Sequence, residues 1–472
     1  MELSSSDIVR ATGGSLVTGE PGQNEATFTG VSIDSRDIRE GEVFFAVKGD
    51  RFDGHDFVSS LPEKGAGGAV VNRGWEGLST LSEMGTARHF SLIEVDETRR
   101  ALGDTAQQWR ARHPIPLAAV SGSCGKSTTK EMIAAILGVK REVLKTEGNR
   151  NNLLGLPLTI LGIREHHEVG VVELGISERG EMTRLVEIAQ PDVALLTNIG
   201  ISHIASLGGF QGVAAAKGEL FQALKEDGIE VINFDDLWIV EMTAKTKRRQ
   251  ITYSVEEKAD VSLKGFEVKG RASDMMAATF SLFGDEIAVE ARGVGSYNLS
   301  NAAAAIATAH ALGCGKEEIV EGLSQFVPMK NRMEPIQLDG ITLLDDTYNA
   351  NPDSMEAALR TLSEYPGRKI AVLGDMLELG DIARNIHRRM GSLAARMEVE
   401  KLIIYGEFKG EVHEGAVDEG MDEGSTYTVE SKDDAVGVLK EIINDGDVVL
   451  VKGSRGMGME EVVEKLREEF ST

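Results

Sequence analysis

The run Ser121-Gly122-Ser123-Cys124-Gly125-Lys126-Ser127-Thr128 carries the residue types that hold a phosphate chain. Gly122 and Gly125 let the backbone curl so that successive N–H groups point at one anion. A helix opening behind them adds its positive amino-terminal end. Lys126 is long enough to reach the outer phosphates of ATP, and the Ser127 hydroxyl suits a magnesium ion. The whole run from Gly122 through Ser123, Cys124, Gly125, Lys126, Ser127 and Thr128 is therefore a candidate nucleotide cradle. Its spacing is shorter than G-x-x-x-x-G-K-[ST], because Val120 stands where that pattern has its first glycine. Taken alone, G-x-x-G-K-S also describes a helix-capping loop. Cys124 reads as a small residue lending a backbone N–H. Beside Lys126 at a helix amino terminus, its thiol is also expected to have a lowered pKa, so that alkylation inactivates and MgATP protects.

Other chemically capable groups stand near the ends of predicted strands. Glu173 closes an apolar run and projects toward the phosphate-loop side, as a magnesium ligand beside Ser127 or as an ordinary solvated carboxylate. His203 follows Thr197-Asn198-Ile199-Gly200; a lone histidine there is more often structural than a ligand. Lys217 sits in a helical stretch, where an exposed lysine is the ordinary case. Asn298 and Asn301 share a helix face or cap that helix. Arg332, just after Pro328, is a linker charge or a phosphate or ribose contact. Asp346, Tyr348, Asn349 and Asn351 form a polar loop that doubles as turn chemistry with a helix cap. Lys452, Ser454 and Arg455, in Lys452-Gly453-Ser454-Arg455-Gly456, make a receptor for carboxylate or phosphate, or a surface turn. Near the amino terminus, Ser35 and Arg36 are candidates for gripping a phosphate, with Arg51 and His55 weaker ones; Asp53-Gly54 suits a simple turn.

Three segments position these residues. The chain of 472 residues is too long for one core. Residues 1–112 read as a small α/β unit, with a strand at 28–33, and end at two prolines spaced by one residue, Pro114 and Pro116. Residues 113–326 alternate strand (117–120, 169–173, 193–197, 230–233) and helix (127–137, 212–224), as a parallel sheet requires. An antiparallel β excursion is expected at 250–292 and an Ala-rich helix at 301–312. Residues 327–472 return to βα alternation, with strands at 341–344, 369–373, 402–405 and 448–451; residues 406–424, rich in Glu, Asp and Gly, read as an exposed loop. Ligands of open parallel sheets sit at the carboxyl ends of the strands, which is where the candidate loops fall.

Composition narrows the partners. Lys and Arg number 50 against 76 Asp and Glu, a net charge of −26, so nucleic acid and anionic membrane are repelled at long range. An anionic substrate must then be captured by local cations and backbone N–H groups. Cys124 and Cys314 are too few and too far apart for a disulfide framework or a zinc site. No apolar run approaches a membrane span, and the amino terminus has no signal-peptide pattern, so a cytoplasmic monomer is the default expectation.

The short phosphate loop, followed by Thr128-Thr129-Lys130-Glu131, resembles the Mur ligases. So do Asn149-Arg150-Asn151-Asn152 with Gly155-Leu156-Pro157, Glu173-Leu174-Gly175, Asn198-Ile199-Gly200 with His203, Ala216-Lys217-Gly218-Glu219 and Tyr297-Asn298-Leu299-Ser300-Asn301. Asp345-Asp346-Thr347-Tyr348-Asn349-Ala350-Asn351-Pro352 and Leu373-Gly374-Asp375-Met376-Leu377-Glu378-Leu379-Gly380 are similar to the family member that adds D-alanyl-D-alanine to UDP-N-acetylmuramoyl-tripeptide. Asp34-Ser35-Arg36 and Phe52-Asp53-Gly54-His55 resemble the UDP-sugar domain, which argues against the related folylpolyglutamate synthases. The resemblance implies an α/β fold of three domains. A central phosphate-loop parallel sheet is flanked by an amino-terminal UDP-binding α/β domain and a carboxy-terminal Rossmann-like one. It implies ATP and Mg2+ as cofactors, with Ser127, Glu173, His203 and Lys217 around the metal and Lys217 carbamylated. Lys126, Lys217 and His203 would be catalytic, and Asn301, Arg332 and Asp346 would touch nucleotide. Ser35, Arg36, Asn151, Tyr348, Asn349, Lys452, Ser454 and Arg455 would touch substrate. The preceding ligase of the family, a small-molecule kinase and a nucleotide-gated binding protein are the competing readings.

Overall fold

The computed structural model describes residues 2–17, 26–49, 51–77, 81, 90–201, 204–268, 275–292 and 296–470. Three larger sheets and a two-stranded ribbon organise them. The first sheet runs Ser15–Leu16, Ser91–Val95, Gly68–Asn72, Val43–Phe45, Val31–Ser32, parallel except at its first strand. The expected strand at 28–33 is in fact two. Thr27–Phe28 pairs with Leu3–Ser4, and Val31–Ser32 joins the larger sheet. Between them Thr29 donates its N–H to Gly41 O, so the chain leaves one ladder for another.

The second sheet has nine strands. Leu117–Ser121 is the third strand from one edge, between Val193–Leu196 and Val169–Glu173 and parallel to both. These buried strands are continuous apolar runs, as expected where helices cover both faces. The antiparallel excursion begins later than its composition suggests, because Arg249–Ser254 pairs parallel with Ile229–Asn233. The antiparallel part is Val261–Val268, Met275–Leu282 and Asp285–Arg292. The Ala-rich helix Ser296–Ala311 and the phosphate-loop helix Lys126–Leu137 contribute buried residues to one core with these strands.

The third sheet has six strands in the order Glu334–Leu338, Ile341–Asp346, Val448–Lys452, Lys369–Gly374, Lys401–Tyr405, Thr426–Val429, all parallel but the first. Residues 406–424 are not an extended loop, because Lys409–Asp418 is a helix packed on Ala383–Arg396. Glycines make that packing close. A Cβ on Gly415 would lie 1.9 Å from Arg388 O, and one on Gly391 equally near Val412 O. Glycine in this stretch serves a helix–helix contact, which outweighs its low helix propensity. Among the described residues no helix is long and apolar enough to cross a membrane.

Candidate active site

Strand Leu117–Ser121 delivers the loop and helix Lys126–Leu137 leaves it, with Gly125 as the helix cap at φ +80°. Both loop glycines are required. A Cβ on Gly122 (φ +140°) would lie 2.0 Å from Thr197 Oγ1, and one on Gly125 would lie 2.3 Å from Asn301 Oδ1. Lys126 Nζ folds back over the loop, donating to Gly122 O at 2.9 Å and Ser123 O at 3.3 Å. Such a cation is placed to exchange loop carbonyls for a phosphate. Thr129 Oγ1 donates to Asn301 Oδ1 at 3.1 Å, and Asn301 Nδ2 donates to Asn298 Oδ1, so both asparagines lie buried against the loop's helix. Thr128 lies in the first turn of that helix.

The loop is braced by the neighbouring strand end, residues 197–201. Thr197 N donates to Ser121 O, Ile199 N to Asp236 Oδ2 at 2.7 Å and Gly200 N to Ser123 Oγ at 2.8 Å. Cys124 N donates to Asn198 Oδ1 at 2.9 Å. Beneath them Asn233 Nδ2 and the buried Tyr253 hydroxyl both donate to Thr197 O. Asp236, Asn233 and Tyr253 lack any phosphate-loop signature and escape a sequence reading.

Glu173 aligns with Val120 across the central strands, which carries its side chain to the loop. Ser127 Oγ donates to its Oε2 at 2.7 Å, and Asn151 Nδ2 donates to its Oε1 at 2.8 Å. A hydroxyl and a carboxylate together are hard oxygen donors, and the pair fits Mg2+ bound by one carboxylate, a hydroxyl and substrate phosphates. Lys217 is 3% exposed and donates to Gly122 O at 2.9 Å. Its burial, then the nearby Lys126 charge, pull its pKa down to about 7. His203 lies outside the described residues.

The third sheet brings its loops to the same place. Lys452, 1% exposed, donates to Asp346 Oδ2 at 2.6 Å and to Asn349 O at 2.9 Å. Ser454 Oγ donates to Ala350 O, and Arg455 N donates to Asn349 Oδ1. Lys452 and Ser454 thus tie the two loops together, and of this group the guanidinium of Arg455 is the one turned to a ring. Arg332 lies 3.9 Å and Arg455 5.2 Å from the Tyr348 ring centroid, and Arg332 Nε is buried without a hydrogen-bond partner. Asn351 caps helix Pro352–Glu364, and it also accepts the Cys124 thiol at 3.2 Å. Asp353, in the first turn of that helix, accepts Ile201 N–H at 2.6 Å; burial pushes its carboxyl up. Its sequence context, Asn-Pro-Asp-Ser, announces only a helix start.

One expectation changes: the Cys124 thiol is raised, not lowered, because burial and the Asp353 charge outweigh Lys126. Arg36 stands in an exposed turn. Its side chain is 85% exposed and makes two bonds to Asp34, at 2.9 and 2.6 Å. Ser35 is buried, and Lys64 Nζ donates to its carbonyl at 2.6 Å, a cation the motif reading omitted. His55 is held by Asp53 on Nδ1 and accepts Asn72 N–H on Nε2, a structural bridge. Arg51 is exposed.

A phosphate cradle at the carboxyl end of one parallel sheet, faced by the loops of another, defines a nucleotide-using enzyme. The chain belongs to the Mur ligase family. It matches the family's catalytic domain over residues 27–110, the Mur ligase middle domain over 120–309 and the glutamate ligase domain over 331–455. It is 36% identical to the UDP-N-acetylmuramoyl-tripeptide--D-alanyl-D-alanine ligase of Bacillus subtilis over 95% of each chain. It superposes on MurF from Acinetobacter baumannii at TM-score 0.89, with 30% identity and 99% of both chains covered. MurF from Thermotoga maritima, solved in complex with ADP, aligns at TM-score 0.82 and 29% identity over 93% of this chain and 97% of that one. The three-domain α/β fold and ATP-dependent ligation follow from this membership.

Proposed function

We propose that the enzyme joins D-alanyl-D-alanine to the terminal carboxylate of UDP-N-acetylmuramoyl-tripeptide, consuming ATP, in cytoplasmic peptidoglycan precursor synthesis. The observation that carries this reading is end-to-end likeness to ligases named for that reaction, with the phosphate cradle intact. The units 1–112, 113–326 and 327–472 serve UDP-sugar, ATP and acceptor in turn, within a monomer.

A carboxylate is a poor electrophile, so one of its oxygens first attacks the γ-phosphorus of ATP, giving an acyl phosphate and ADP. The acceptor amine then attacks the acyl carbon, phosphate leaves with that oxygen, and the amine loses a proton. Lys126 and the N–H groups of residues 122–128 hold the phosphates and offset the growing negative charge. Ser127 and Glu173 would hold Mg2+, which when bound would polarise the phosphoryl oxygens; the family resemblance adds Lys217 and His203 as further candidates. Asn151 keeps Glu173 oriented. With its pKa near 7, Lys217 is substantially neutral at physiological pH, which is the form that takes up CO2 as a carbamate. Asn301, Arg332 and Asp346 flank the nucleotide. Tyr348, Asn349, Lys452, Ser454 and Arg455 form the acceptor side, and Ser35 with Arg36 meets the UDP end.

Phosphate release should require ATP, Mg2+, the tripeptide nucleotide and D-alanyl-D-alanine together. Release with a single amino acid but not the dipeptide would assign the preceding ligase step. Release with no amine acceptor would assign an ATPase.

A further inference from the structure

Three amides of the strand-end loop at 197–201 are satisfied from within the central domain. Thr197 N, Ile199 N and Gly200 N go to Ser121 O, Asp236 Oδ2 and Ser123 Oγ. Ile201 N instead donates to Asp353 Oδ2 at 2.6 Å, 152 residues along the chain, in a helix of the third domain. The Ile201 side chain packs on the third domain's core, which includes Leu344, Met355 and Leu373. The approach depends on Gly200, where a Cβ would lie 2.0 Å from Asp353 Oδ2. Gly200 is also the residue bonded twice to Ser123 Oγ in the phosphate loop, through its N–H at 2.8 Å and its carbonyl at 3.1 Å.

We propose that Asp353 is a positioning residue that couples docking of the third domain to the phosphate loop, its carboxylate seating on Ile201 N–H over the gap left by Gly200. An acid in the first turn of a helix favours that helix's amino end wherever it points. Here the side chain crosses to another domain instead. A carboxylate accepting a backbone N–H makes a strong, directional bond, and the neighbouring amide is the one Ser123 holds. Docking through Asp353 therefore fixes the same short loop that braces the phosphates. The acceptor loops at 346–349 and 452–455 belong to the domain that carries Asp353, so the contact also sets how the amine meets the activated carboxylate.

The kinetic half of the test rests on the ligase reading; the other half does not. In Asp353→Ala, kcat should fall by about tenfold, the weight of one charge-assisted bond. The KM for the tripeptide nucleotide, held largely by the first domain, should stay within about twofold. Asp353→Asn keeps an acceptor oxygen and should recover most of kcat. Gly200→Ala should mimic Asp353→Ala, and joining the two changes should add little further loss. Independently of any substrate, small-angle scattering of the full chain with ADP should give a larger radius of gyration for Asp353→Ala than for wild type and Asp353→Asn. Matching thermal unfolding midpoints exclude a folding defect. Wild-type kcat in Asp353→Ala, or Asp353→Asn as impaired as Asp353→Ala, overturns the proposal; so does an unchanged radius. If wild type fails to ligate, the ligase reading falls and the scattering comparison still decides the role of Asp353.

Discussion

The phosphate loop and the turn at 34–36 were both picked out by short motifs, yet they are built differently. Around the loop, Lys126, Ser127, Glu173 and Lys217 are bonded to the loop or to one another, and Ser127, Glu173 and Lys217 are buried. In the turn, Arg36 is out in solvent, closed on a carboxylate two residues away. On the proposed function, the loop groups would stabilise charge during the reaction, and a buried, fixed frame is where such contacts are worth most. Arg36 would only have to catch a diphosphate, exchanging the Asp34 carboxylate for it.

Substitutions should separate the two regions widely. The largest loss belongs to Lys126→Ala, where phosphate release should drop by about 10²–10³-fold; activity within tenfold of wild type would set the loop assignment aside. Next comes Lys217. Because its pKa is lowered to about 7, the amine is protonated below that value and free to take CO2 above it. A carbamate resonance from 13C-bicarbonate should therefore grow between about pH 6 and pH 8 and be absent in Lys217→Arg. A signal that ignores pH or persists in Lys217→Arg would contradict that assignment. Arg36→Ala should raise the KM for the tripeptide nucleotide by about two- to fivefold with kcat unchanged, since the residue is exposed and already ion-paired; a fall in kcat would move the turn into the reacting frame. The smallest effect belongs to Cys124→Ser, with kcat within about twofold. With its thiol raised by burial, alkylation should be slow near neutral pH and faster as pH rises. Rapid labelling at neutral pH would contradict that burial.

The cradle was legible because its signal is local: Gly122, Gly125 and Lys126 act through their own backbone and the helix that follows. Glu173 was legible as a strand end, but its bond to Ser127 depends on the register that sets it beside Val120. Asp236, Tyr253 and Asp353 were not legible, because each is ordinary in its own segment and meets the loop only through the fold. Sequence points to a lowered Cys124 thiol because a helix end and Lys126 are visible there while burial is not. Residues 406–424 misled by composition, since their glycine serves contact between helices. Arg36 teaches the reverse. Its partner, Asp34, stood two positions away in plain view.

The central claim, that the substrate carboxylate is activated by phosphorylation, is tested most directly with tripeptide nucleotide labelled by 18O in its terminal carboxylate. After ligation to D-alanyl-D-alanine, the released phosphate should carry one carboxylate-derived 18O. Phosphate free of label, with the dipeptide nonetheless joined, would contradict the acyl phosphate route and with it the catalytic roles of Lys126, Ser127 and Glu173.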